Sequence, residues 1–402
     1  MRAGWSRRAW LMGLLGPFAA PGAAGTPVGP PVHPDDDLPR LGRALRWPRD
    51  FGAHLGTRIE WWYVTGVLHA ATAGQSPTTG PEDPLFGFQI TFFRTRTAAA
   101  DRPHEPAGRL APRHLLFAHA ALTDVRAGRL VHAERIARWS GEQAASPVSD
   151  PREPFTPWAH ASRDDTDVRI GRWRLARGGA PQASTYHGVW QDGRAEFGLS
   201  LRLQATQPVL LQGEDGYSRK SPRPGHASGY YSQPQLRVDG RVSLRGQNQA
   251  VRGTAWLDHE WSNRLLDPQA VGWDWLGLNL DDGSALTVFQ LRRADGTALW
   301  AGGSWRPPGR TVRSFEAPEV RMRPGRVWRS GATGAQYPVE WDLSTPAGHY
   351  TVRALVDAQE LDNRNRTGTV YWEGLSALLD ERGRRLGWGY LEMTGYAGRL
   401  QL

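Results

Sequence analysis

Apolar and polar positions alternate along the chain in short runs separated by glycine, proline, aspartate and asparagine. "RIEWWYVTGVLHA", "FGFQITFFRTR" and "LLFAHAALTDV" are of this kind, rich in aromatic and β-branched residues. A period of two in such residues predicts strands with one face turned to a core. The intervening "ATAGQSPTTGPEDP" and "GEQAASPVSDPREPFTPWAH" are too polar and proline-rich to be elements. The pattern predicts an all-β chain of antiparallel meanders.

The pattern also repeats. "GWDWLGLNLDDGSALTVFQLRR" gives a strand, a tight DDG turn and a strand ending in arginine, echoing "EWWYVTGVL" and the "FGFQITFFRTR" that follows it. "GYYSQPQLRVDG" leading to "GTAWLDHEW" parallels "VYWEGLSALLDERG" leading to "GWGYLEMTGY". Counted from Gly253 and Gly387, Trp256 matches Tyr390, Leu257 matches Leu391, Asp258 matches Glu392 and His259 matches Met393. Duplication of a small barrel explains this; the alternative is that alternating strands resemble one another by chance. At 402 residues the chain exceeds the size of one economical core. The expected division is an export signal at 1–25, a proline-rich leader at 26–44, and two domains at 45–240 and 241–402.

Composition changes the picture mainly at the start. In "MRAGWSRRAWLMGLLGPFAAPGAAG", Arg7 and Arg8 precede a short apolar stretch and then small residues. That order predicts an export signal rather than a membrane span. "SRRAWL" resembles a twin-arginine signal, which implies a periplasmic protein exported already folded. Cysteine is absent, which excludes disulfides and thiol chemistry. The formal charge is +9, and nearly all of the positive charge is arginine scattered among acids; such a surface argues against a nucleic-acid partner.

Taken in order from about residue 45 to the C-terminus, "EWWYVTGVL", "FGFQITFFR", "FAHAALTD", "SGYYSQPQLRVDG", "GTAWLDHEWSN", "GWDWLGLNLDDGSALTVFQLR" and "YWEGLSALLD" with "GWGYLEMTGY" resemble the AttH-like, carotenoid 1,2-hydratase-like proteins. The resemblance implies two lipocalin-like (calycin) antiparallel β-barrel domains in tandem. The aromatic-rich tandem barrel and the export signal predict a periplasmic binding or carrier protein, with a hydrophobic small molecule of lipid or isoprenoid type held in one barrel or in the cleft between them. Carboxylate and histidine acid–base chemistry on that molecule is an addition to this reading. Relatives include hydro-lyases, cyclisation catalysts, predicted secreted hydrolases and proteins found near membrane ABC exporters, so those activities and an exporter partner stand as alternatives. Oligomeric state is left open. The hydratase pattern has an acid on the strand after the later turn, where this chain carries Gln290.

The chemistry of alkene hydration narrows the residues. A carboxylic acid in an apolar pocket keeps its proton near neutral pH, and aromatic faces stabilise a developing cation. "AWLDHEWSN" offers Asp258 or Glu260 as acid, His259 as relay, and Trp256 and Trp261 as walls. Asp274, between Trp273 and Trp275, is a second acid. Tyr230, Tyr231, Trp61, Trp62 and Tyr63 are candidate ligand contacts or barrel core, and Glu60 is a pocket carboxylate or an arginine's partner. Regular alternation puts Trp256, Asp258 and Glu260 on one face and Leu257, His259 and Trp261 on the other, unless a bulge intervenes. A carboxylate recurring in both copies suits a strand-end scaffold, which leaves His259 as the residue expected to be special to function. The twelve histidines lack ligand spacing, and GxSxG, HExxH and phosphate-loop patterns are missing; neither a metal nor another cofactor is implied.

Overall fold

Alternation becomes strand along most of the computed structural model, which describes residues 37–71, 83–101, 112–141, 158–194, 196–264, 266–364 and 368–399. The expected export signal and the leader up to residue 36 lie outside them. Among the described residues helical structure is confined to short 3₁₀ turns.

The first sheet begins with long strands β1 (Ile59–Ala70), β2 (Phe86–Arg96), β3 (His114–Asp124) and β4 (Arg129–Trp139). Shorter strands follow: β5 (Ala159–Ala161), β6 (Asp167–Ile170), β7 (Trp173–Gly178), β8 (Thr185–Asp192) and β9 (Phe197–Gln204). It closes with β10 (Leu210–Leu211), β11 (Tyr217–Arg219), β12 (Ala227–Leu244) and β13 (Gln247–Ser262). Their order is β4-β3-β2-β1-β13-β12-β9-β8-β7-β6-β5, with β10 and β11 also on β12. The end strands β4 and β5 come against each other, so the sheet curls into a barrel.

The second sheet starts with β14 (Gly272–Leu280), β15 (Ala285–Arg292), β16 (Ala298–Arg306), β17 (Arg313–Phe315) and β18 (Arg321–Pro324). After a separate ribbon of β19 (Val327–Arg329) and β20 (Gln336–Pro338) come β21 (Glu340–Thr345), β22 (Gly348–Ala354), β23 (Glu360–Asn363), β24 (Thr369–Leu379) and β25 (Arg385–Thr394). The order is β17-β16-β15-β14-β25-β24-β22-β21-β18, with β23 on β24. Residue 240, where the sequence reading divides the chain, falls inside β12. Both strands of the β12–β13 hairpin belong to the first barrel because β13 pairs with β1 and β12 with β9, so the sheets change between Ser262 and Gly272.

Parity along the strands sorts the side chains. On β1, Trp62, Val64 and Leu68 enter the first barrel core, while Tyr63 and Val67 join a cluster between the barrels. On β14, Leu276 and Leu278 enter the second core and Trp275 joins the same cluster, which also holds Trp256, Phe289 and Tyr390. A bulge in β12 between Gln233 and Leu236 switches which parity faces inward: Tyr231 before it and Leu236 and Val238 after it lie in the first core. Pro234 has no N–H for the ladder, and Gln235 takes a φ of 55°. Gln235 then straps the barrels together, donating from its backbone to Asn279 Oδ1 (2.7 Å) and from its amide to the carbonyls of Leu280 (2.9 Å) and Ser284 (2.8 Å). The bulge lies one strand away from "LDHE", which stays regular.

Large indoles are accommodated over glycine. A Cβ on Gly277 would stand 2.3 Å from the Trp275 ring, and one on Gly229 would stand 2.2 Å from Trp261. Both glycines provide the floor that lets a tryptophan lie flat along the sheet, which accounts for part of the Trp and Gly content.

Candidate functional site

Each barrel carries a buried carboxylate–arginine pair. In the first, Glu60 accepts from Arg94 Nε (2.7 Å) and from the His54 backbone N–H (3.0 Å), and meets His54 Nδ1 (2.8 Å) and His259 Nε2 (2.9 Å). His259 Nδ1 lies 3.1 Å from the Tyr231 hydroxyl, and His54 Nε2 lies 3.0 Å from Asp50. Burial works to raise the Glu60 carboxyl, but Arg94, His259 and His54 together hold it well below the usual carboxylate range. Burial brings His259 down to about 4 despite Glu60, so the imidazole is neutral at ordinary pH. His54, Glu60 and His259 are close enough to share a cation. Their ligand atoms are instead bonded to one another, with the Arg94 guanidinium beside them, so the donor set is already spent on hydrogen bonds and an adjacent positive charge opposes a metal. In the second barrel Asp274 accepts from Arg292 (2.7 Å), Gln290 (2.8 Å) and the Tyr396 hydroxyl (3.0 Å).

Glu60, His259 and Asp274 are therefore interior network residues. Trp62 and Trp261 belong to the first core, Trp62 stacked 4.7 Å from His259 and Trp261 stacked 3.7 Å from His54, and Tyr231 packs with them. Strand parity places all six side chains on the faces turned into a barrel.

The opposite faces meet across a cavity of about 120 Å³ between the barrels. It receives Asp258, Glu260, Trp61, Tyr63, Tyr230, Trp273 and Trp275 from the sequence-predicted set, with Trp256 directly behind Asp258. It also receives Glu373, Glu392, Lys220, His119 and Tyr371, together with Phe93, Phe117, Phe289 and Leu291. Four carboxyls thus converge in a largely aromatic chamber.

Asp258 is held by three donors: Tyr230 OH to Oδ2 (2.7 Å), Trp256 Nε1 to Oδ1 (2.7 Å) and Ser232 Oγ to Oδ1. Behind them Trp275 Nε1 donates to the Tyr230 hydroxyl (3.1 Å), and Ser304, on the second barrel, donates to Gln212, which donates to Ser232 (2.8 Å each). Donors aimed at a carboxylate favour its charge, yet burial prevails and pushes Asp258 up to about 7. Glu392 is partly accessible through the cavity; burial pushes it up to about 8, aided by Asp258 and Glu260 and opposed by the Trp273 indole. Burial and the neighbouring Glu392 carry Glu373 well above the ordinary range. Lys220 Nζ lies 2.9 Å from Glu260 Oε1. His119 Nδ1 reaches the Tyr371 hydroxyl across the interface (2.6 Å), and burial lowers the imidazole to about 3.

The internal echo thus acquires a geometric meaning. Asp258 on β13 and Glu392 on β25 occupy matching places in the two copies, and both line the one cavity. The recurring carboxylates therefore face the cavity, while His259 and its counterpart Met393 both point into cores. Glu373 was reachable from the same pattern, because the β24–β25 hairpin sets it opposite Glu392. Lys220 sits beside a short strand in a loop with no period to mark it.

The family model for AttH-like proteins matches residues 39–396. The chain is similar to the crystal structure of an AttH from Nitrosomonas europaea, with 40% identity, coverage of 89% of this chain and 99% of that one, and a TM-score of 0.75. It shares its fold with kievitone hydratase from Nectria haematococca at a TM-score of 0.60 and 12% identity, over 88% of this chain and 94% of that one. No curated protein matches. The protein, two lipocalin-like barrels in tandem, belongs to the AttH-like family.

Proposed function

We propose that the cavity between the barrels binds an apolar, unsaturated molecule and that its protonated carboxyls act on that molecule as acids, in hydro-lyase fashion. The observation that supports this reading is the convergence of Asp258, pushed up to about 7, and Glu392, pushed up to about 8, on an aromatic chamber. Acids with such pKa values keep a substantial protonated fraction at neutral pH and can deliver the proton. The proton would form a C–H bond using the alkene π electrons, leaving a carboxylate and a carbocation facing Trp61, Trp273 and Trp275. Water would close the cation and return its proton to a carboxylate, so the acid is regenerated. The N-terminal "SRRAWL" and its apolar run favour an exported, periplasmic setting, which fractionation of cells expressing the full chain would test.

The chemistry is tested by incubating the protein with a panel of prenylated and polyene compounds in H₂¹⁸O. The expected result is a mass gain of one labelled water for at least one compound, lost in Asp258→Asn or Glu392→Gln while N-phenyl-1-naphthylamine still binds. A panel that neither reacts nor displaces the fluorophore, or turnover indifferent to both substitutions, defeats the reading.

A further inference from the structure

Lys220 is the only lysine in the sequence, among 49 lysine and arginine residues, and among the described residues it is the only one of them that lines the cavity. Arginine fills the cationic positions elsewhere, including both barrel interiors, so the exception falls at the site.

Its backbone is fixed on both sides. Lys220 N–H donates to the His226 carbonyl (2.8 Å), and Ser221 Oγ donates to Asp267 Oδ2 (2.6 Å). The side chain is 9% exposed; its Nζ lies 2.9 Å from Glu260 Oε1, 4.7 Å from the Tyr230 ring centre and 4.3 Å from that of Phe289. An ammonium has three donors in a compact head; here it pairs by charge with Glu260 and the two rings flank it. An arginine here would spend its planar fork on Glu260 and lie flat on a ring, leaving no compact donor toward the cavity.

We propose that Lys220 is the ligand-recognition residue, its ammonium donating a hydrogen bond to a neutral carbonyl oxygen of the bound molecule. The inference rests on the cavity being the ligand site, and it narrows the ligand class to apolar molecules bearing a ketone, enone or ester carbonyl. Charge decides between a neutral and an anionic oxygen. Glu260 already neutralises Lys220, and Asp258, Glu373 and Glu392 crowd the same chamber. A carboxylate ligand would add an uncompensated negative charge to a buried acidic site, whereas a carbonyl adds none.

Calorimetric titration with three probes tests this: β-ionone, the hydrocarbon in which CH₂ replaces its carbonyl, and β-ionylideneacetate as the carboxylate. The native protein is expected to bind β-ionone about ten-fold more tightly than the hydrocarbon, the worth of one charge-assisted hydrogen bond. It is expected to bind the carboxylate more weakly than the ketone. Lys220→Met should bring the ketone-to-hydrocarbon ratio to about one, and Lys220→Arg should reduce it. Glu260→Gln, which keeps the lysine, should preserve the ratio, so the assignment stays testable if the methionine variant fails to fold. An undiminished ratio in Lys220→Met and Lys220→Arg, or tighter binding of the carboxylate than of the ketone, overturns the assignment. Equal binding of ketone and hydrocarbon by the native protein removes the role of Lys220 and leaves the ligand site standing, whereas failure of all three probes removes both.

Discussion

Glu373 and Glu392 stand directly opposite each other on β24 and β25, both at the wall of the cavity between the barrels. Two like charges in that register repel, and burial taxes each of them, so at neutral pH the pair keeps protons that exposed glutamates would have lost. Replacing Glu392 by Gln removes the charge that helps to raise Glu373. The apparent pKa of Glu373 is expected to fall toward the ordinary range, followed by NMR of carboxyl-labelled glutamate; an unmoved resonance would show that burial alone sets it.

Stability should fall as pH rises from about 6.5 to about 8.5. Asp258 and Glu392 titrate near 7 and 8 in the folded chain, against 3.8 and 4.5 ordinarily, so over this window the folded state holds protons that the unfolded state has released. Their contribution is full below the ordinary values and is lost as pH climbs through the raised ones. The buried histidines, His259 near 4 and His114 and His119 near 3, act oppositely but only below about 6.5, where the unfolded state gains protons. Thermal melts of the native chain and of the double variant Asp258→Asn, Glu392→Gln provide the check, and the variant should show the flatter alkaline limb.

Tyr230→Phe should raise Asp258 further. The phenol donates to Oδ2, and losing that donor withdraws support from the charged form. The pH at which Asp258 ionises is expected above about 7, read from the labelled carboxyl resonance; a shift downward would contradict the donor assignment.

Glu60→Gln should cost about 3–5 kcal/mol, since it strands the buried Arg94 without its counter-charge. His259→Gln should cost less, about 1–3 kcal/mol for hydrogen bonds lost to Glu60 and Tyr231. Denaturant melts measure both. Neither residue lines the cavity, so N-phenyl-1-naphthylamine affinity in the folded fraction should stay near native; a large selective loss in His259→Gln would restore a site role to that histidine.

Gly277→Ala places a methyl group within 2.3 Å of the Trp275 ring. The indole must tilt into the cavity it lines, at about 1–3 kcal/mol of overpacking. Lower stability and weaker probe binding are expected together, whereas a neutral alanine would show that the indole moves freely.

Period-two patterning made the strands and the tandem barrels legible, and the quoted motifs made the family legible. Parity on β13 was legible too: Asp258 and Glu260 on one face, His259 on the other. What the pattern lacked was which face belonged to the core and which to the interface, because β1, the second half of β13 and β14 are buried on both faces and carry carboxylates among their apolar residues. A strand buried twice has no polar face to orient it. That is why the sequence alone left unseen that Glu60, His259 and Asp274 face the interiors and that Glu392, matched to Asp258, faces the cavity.

The strapping of the two barrels by Gln235 bears on acidity as well as on shape. Asp258 and Glu392 owe their raised values chiefly to desolvation in the chamber the barrels enclose between them. Drawn apart into water, the same side chains would become ordinary carboxylates. The strength of these acids is therefore a property of how closely the two halves are clasped, and a substitution in the clasp, far from any reacting atom, can retune the proton without touching the group that carries it.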